Sequence, residues 1–350
     1  MNKGENRRKK RRYRIRYDRV IIFLLLIAAI GVVGTSAFKA ITGGNRKEKE
    51  ESSSESVSEP PPATDDYVPE DTTAPPSTEP ETTAITTTAY PVITTPEGMT
   101  DVVQEHDNIY KGNLIVVNTQ YEYKFLPDDI EVLAVYENQN SYYATGDLVT
   151  SLDRETITQL NAMMEAYALF NGSSTAGILI QDGYRTYEEQ EYRHNSGQSR
   201  TFEAGHADYH TGRTFDMFRV DSYSATGYSY FEADEWFREN AGKYGFIVRY
   251  PESKYEYTGE NPRAYTYRYV GKPHAEYINT YNLCLEEYID ILKTHTIENP
   301  LETAADGHIY SIYYVPAAES GNTDVFVPEN SEYTISGDNG SGFIVTVMLS

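Results

Sequence analysis

Residues 51–100 cannot contribute to a folded core. Of these 50 positions, 27 are Ser, Thr or Pro, ten are Asp or Glu, and none is Lys or Arg. With few apolar side chains and unopposed negative charge, nothing offsets the chain entropy lost on ordering. Nine prolines stiffen the stretch, so residues 39–100 read as an extended, disordered stalk. Folding is thereby confined to residues 101–350.

The part before the stalk is just as segregated. Residues 1–19 carry ten Lys or Arg against only Glu5 and Asp18, and residues 20–38 then run for 19 positions without a charge. At about 1.5 Å rise per residue, that run matches a hydrocarbon core of about 30 Å. The sequence therefore predicts a cytoplasmic basic segment (1–19) and a transmembrane helix (20–38), with the main domain outside the cell membrane. A cleaved signal peptide ending at Thr35-Ser36-Ala37 is the competing reading. The apolar run exceeds the usual signal core of about 7–15 residues, which favours an uncleaved anchor.

The net charge of −23 opposes nucleic-acid binding, which needs a basic face. A single cysteine, Cys284, excludes an intramolecular disulfide and any zinc cluster built on cysteines. In residues 101–300 the patterning mixes helices and strands without regular alternation, which predicts an α+β domain with a mixed or antiparallel sheet and flanking helices. Strands are expected at 114–117, 178–180, 246–250 and 265–270, and helices at 154–170, 233–244 and 273–292. Residues 301–350 are β-rich pieces between Pro, Gly and Asn turns, and they read as a small C-terminal β appendage, packed on the domain or standing beside it.

Residues 205–216, GHADYHTGRTFD, gather two His and two Asp in twelve positions. By themselves they fit either a metal-binding loop or a polar loop with ordinary histidines. Around them stand Gly183-Tyr184-Arg185-Thr186, Gln190, Trp236, Asn240, Lys243-Tyr244-Gly245-Phe246, Arg249-Tyr250-Pro251, Arg268-Tyr269-Val270-Gly271 and His274-Ala275. In order and spacing this series resembles the zinc D-alanyl-D-alanine carboxypeptidases of the VanY type, over roughly residues 110–295. The resemblance implies a zinc ion held by two His and one Asp, a general-base Glu, and a substrate: the peptidoglycan stem peptide ending in D-Ala-D-Ala.

Part of that machinery is substituted here. Gly205, Thr211-Gly212 and Asp216 match the family's first segment, but its ligand His falls on Tyr209 and its Ser on Ala207. Arg268-Tyr269-Val270-Gly271 fix the register of the second segment. There the general base falls on Arg263, the Trp on Tyr265 and the second ligand His on Thr266. A phenol and an aliphatic hydroxyl are poor neutral ligands, and Arg263 would repel a divalent cation. The substitutions thus imply that the zinc of the family is lost, with Arg263 pairing with Asp216 in its stead. A rebuilt site would have to draw on His206, His210 and His274, and His210 should face away. Arg185 is the cleft and oxyanion candidate, and Arg185 with Gln190 would bind substrate.

The sequence expectation is a surface-displayed, catalytically impaired relative that binds stem peptides, a pseudoenzyme. The alternatives are an active zinc D,D-carboxypeptidase with rearranged ligands, or a structural or signalling ectodomain.

Overall fold

The computed structural model describes residues 95–199, 202–224 and 226–349. The basic segment, the apolar run and most of the stalk lie outside these residues. Among the described residues no helix is long and apolar enough to cross a membrane.

In chain order the strands are β1 (Met99–Gln104), β2 (Val132–Ala134), β3 (Ala144–Thr145), β4 (Ser151–Asp153), β5 (Ile178–Gln181), β6 (Thr214–Val220), β7 (Tyr228–Tyr230), β8 (Phe246–Tyr250) and β9 (Arg263–Tyr269). They continue with β10 (Leu301–Ala305), β11 (His308–Pro316), β12 (Thr323–Pro328), β13 (Glu332–Gly337) and β14 (Gly342–Met348). The main helices are α1 (Arg154–Phe170), α2 (Tyr187–Asn195), α3 (Glu235–Asn240), α4 (Lys272–Thr280) and α5 (Leu285–Leu292). The class is α+β, as the patterning requires.

The central sheet runs β3-β5-β6-β9-β8, with β7 added to β6. Only the β3–β5 pair is parallel. Helix α1 forms where Ile157, Leu160, Met164 and Tyr167 recur on one stripe, and it starts at Asp153, whose carboxylate accepts the Glu155 amide. That stripe packs with Phe215, Met217 and Tyr267 of the sheet. A second core joins Ile247, Val270, Ile278, Leu285 and Leu292 to Leu301, Ile312 and Ile344. The C-terminal sheet, ordered β10-β11-β14-β13, is therefore packed on the domain rather than standing beside it.

Three expectations change. Residues 114–117 are buried but form no strand. Their carbonyls go to side chains: Arg268 donates to Ile115, Asn339 to Val116 and Arg249 to Val117. The helix expected over 273–292 is two helices, parted where Asn282 takes a φ of 52°. Regular structure also begins before residue 101, since Met99 and Thr100 pair in β1 with Pro328 and Val327.

Candidate functional site

The β5–β6–β9 ladder places Asp216 opposite Gln181 on one side and Thr266 on the other. Tyr209 comes from a single 3-10 turn, Asp208–Thr211, which Gly212 ends in the left-handed region at φ 66°. The two elements bring together the three positions that the sequence marks as former ligands. Tyr209 Oη donates to Asp216 Oδ1 at 2.7 Å, and Thr266 Oγ1 donates to the same oxygen at 2.7 Å. Tyr209 and Thr266 are fully buried and Asp216 is nearly so.

This triad is internally satisfied. Burial raises the Asp216 carboxyl to about 6, with the two hydroxyl bonds working against the rise. Burial also holds the Tyr209 phenol well above its usual value, so it stays protonated. The Arg185 guanidinium lies 3.9 Å from the centre of the Tyr209 ring. Both hydroxyls spend their protons on Asp216, and a fixed cation stands over the phenol. These donors do not fit a zinc ion, which needs lone pairs from neutral or anionic groups aimed at one point. Among the described residues, no group of three or more His, Cys, Asp or Glu is placed to hold a metal.

The histidines are committed elsewhere. His210 is fully buried: its Nε2 accepts the Gly205 amide at 3.0 Å and its Nδ1 lies 2.7 Å from the Arg185 carbonyl oxygen. Burial lowers it to about 4. His206 Nδ1 lies 2.8 Å from the Asn118 carbonyl oxygen. His274 sits between Tyr288 Oη at 2.8 Å and Thr346 Oγ1 at 3.1 Å, lowered by burial to about 3. None of the three turns toward Asp216.

Arg263 forms its salt bridge with Glu260, at 3.1 Å, and lies over the rings of Phe202 and Tyr250. The expected Arg263–Asp216 pair gives way to this local one, because Glu260 is three residues away and nearly buried. Gln190 also differs from expectation. It is wholly enclosed, accepting from Arg185 at 2.8 Å and donating to Ser199 Oγ and the Phe202 carbonyl, so it positions Arg185 and does not face a ligand. Asp182 completes the clamp with salt bridges to Arg185 at 3.2 Å and Arg193 at 3.0 Å.

Beneath the site lies a charged cluster that the sequence reading missed. Asp208 is fully buried, hydrogen-bonded by Thr214, and paired with Arg268 at 2.6 Å and Arg249 at 3.3 Å; Arg249 also reaches Glu286 at 2.7 Å. The signal was available, since two arginines inside apolar strands require a carboxylate. A cavity of about 740 Å³ lies away from this chemistry, between α1, the β9–α4 junction and β13.

Comparison with known proteins identifies the relatives of this fold. The family model for VanY, D-alanyl-D-alanine carboxypeptidase, matches residues 149–272. A D-alanyl-D-alanine carboxypeptidase of Enterococcus faecium is 32% identical over 259 residues, covering 72% of this chain and 80% of its own. The chain belongs to the VanY D-alanyl-D-alanine carboxypeptidase family. Among solved structures, this VanY-family chain is similar to the vancomycin-resistance D,D-dipeptidase VanXYg, solved with a D-Ala-D-Ala phosphinate analogue. The TM-score is 0.61 and the identity 27%, covering 72% of this chain and 99% of that one. A variant of the D,D-pentapeptidase VanY from a VanB-type resistance cassette, solved with Zn(II), is 27% identical over 51% of this chain and 98% of its own, with a TM-score of 0.39.

Proposed function

We propose that this VanY-family domain holds peptidoglycan stem peptides at the cell surface without hydrolysing them. The observation that carries the reading is the closed triad: both hydroxyls donate to one oxygen of Asp216 where the family would set metal donors. Hydrolysis of an amide needs an activated water and a base to take its proton. Arg263, a permanent cation, stands at the base position and is tied to Glu260. The cleft retains Arg185, braced by Asp182 and Gln190, as a charge suited to a peptide carboxylate. The anchor at residues 20–38 and the stalk at 39–100 would carry the domain outward from the membrane.

The test is a titration of the full-length chain in detergent with a stem pentapeptide ending in D-Ala-D-Ala, alongside an assay for released D-alanine. The expected outcome is saturable binding, weakened by Arg185→Ala, with no release whether or not zinc is added. Release of D-alanine that a chelator abolishes would establish the active zinc enzyme instead.

A further inference from the structure

The rim of the cleft carries an aromatic track that the triad does not use. Tyr265, at the position where the resemblance expects Trp, is half-buried against the core and precedes Thr266, which donates to Asp216. From Tyr265 the rings continue outward. Tyr230 follows at 4.5 Å between centroids, Phe218 at 5.2 Å from Tyr230, and Tyr228 at 5.2 Å from Phe218.

The register explains the alignment. Phe218 lies two residues beyond Asp216 on β6, so it shares its face, and it pairs directly with Tyr230 of β7. Phe218, Tyr230 and Tyr265 are inclined to one another by 32° to 34°. Tyr228 meets Phe218 edge to face, at 78°. Tyr230 is 63% exposed on the sides that Tyr265 and Phe218 leave open.

We propose that this track, Tyr265-Tyr230-Phe218-Tyr228, binds the glycan strand to which a stem peptide is attached. The inference rests on the reading that the cleft takes the stem peptide. Three of the four rings carry a hydroxyl, and none of the four is a purely aliphatic group. Such a surface suits pyranose rings, whose C–H faces lie on aromatic rings while their hydroxyl and acetamido groups meet phenols. Position agrees as well. A five-residue peptide in extended form spans about 17 Å. With its D-alanine end beside Asp216, the sugar that bears it therefore falls within reach of the outer rings.

The experiment compares three probes by calorimetry on the full-length chain: free stem pentapeptide, the same pentapeptide on its N-acetylated disaccharide, and a peptide-free tetramer of β-1,4-linked N-acetylglucosamine. The disaccharide form should bind roughly ten-fold tighter than the free pentapeptide, a stacking increment of ordinary size. Tyr230→Ala should erase most of that gain without changing affinity for the free pentapeptide, and Tyr230→Phe should keep it. The exposed position makes both variants compatible with folding, which circular dichroism checks. Equal affinity for the two peptide forms in the unsubstituted chain, or an undiminished gain in Tyr230→Ala, would overturn the proposal. Binding of the tetramer with none of the free pentapeptide would instead remove the stem-peptide reading and leave the track standing.

Discussion

Burial shifts the proton affinity of Asp216, His210 and His274, but with opposite consequences for stability. Asp216, raised from 3.8 to about 6, keeps a proton in the folded state that the unfolded chain has released, so it costs stability as pH rises across that interval. His210 and His274, lowered from 6.5 to about 4 and about 3, are neutral in the fold while the unfolded chain is protonated. They therefore add stability as pH rises toward 6.5. Two histidines outweigh one aspartate between pH 4 and 6, so the net slope is positive, up to roughly 1.4 kcal/mol per pH unit. Asp216→Asn keeps an oxygen for Tyr209 and Thr266 but removes the opposing proton. Its stability should rise more steeply with pH than that of the unsubstituted protein. Urea midpoints measured every half unit would decide this; parallel curves for the two proteins would refute it. The positions of this residue set were legible in sequence, because the Gly205 to Asp216 and Arg268 to Gly271 registers fixed them. Their bonds were not, since Glu260 captures Arg263 through a turn that no spacing rule reveals.

Elements were read well where one face alternates with solvent, and poorly where side chains replace the ladder. The 154–170 helix and the 246–250 strand stand where periodicity put them. Residues 114–117 misled because four consecutive apolar residues look like a strand, whereas here Arg249, Arg268 and Asn339 satisfy the carbonyls. The break at 281–284 carried a signal that apolar spacing overrode. Asn282 tolerates the left-handed region, and Glu287 reaches back to the Cys284 amide as a helix start would require. Gly245 ends the Ala241–Tyr244 turn in the left-handed region, and a side chain there would meet Tyr269. Its φ is 84°, and a β-carbon there would fall 2.5 Å from Cε2 of Tyr269. Gly245→Ala should therefore combine a left-handed penalty of roughly 1–2 kcal/mol with an overpacking cost of about 1–3 kcal/mol. Chemical denaturation should show a loss of more than about 2 kcal/mol. A loss below half of that would mean that the Tyr269 ring moves aside freely.

At the scale of the whole molecule, the issue is whether residues 301–350 are a separable appendage. Composition set them apart, because β-rich pieces with Pro and Gly turns follow a helical region. Packing does not. Leu301, Ile312, Tyr314 and Ile344 share one core with Ile247, Val270, Ile278, Leu285 and Leu292. Thr346 reaches His274, Asn339 closes on the 116 and 122 carbonyls, and β12 pairs with β1 across the full length of both strands. Removing residues 301–350 would expose these apolar side chains, at about 1.5–3 kcal/mol for each fully uncovered one, against a total domain stability of about 5–15 kcal/mol. The truncated chain should thus fail to fold, and the intact protein should melt in one transition whose calorimetric and van't Hoff enthalpies agree. Two separated transitions, or a truncated protein with sharp side-chain signals and protected amides in α1, would show that the C-terminal sheet is an independent unit. A single transition would also bear on the cleft. Arg268 binds Asp208 under the triad while holding the carbonyls of Asn113 and Ile115, in a segment that Ser336 and Asn339 fasten from the C-terminal sheet. Loosening that sheet should then loosen the pocket floor, and stem-peptide affinity should fall together with stability in Asn339→Ala.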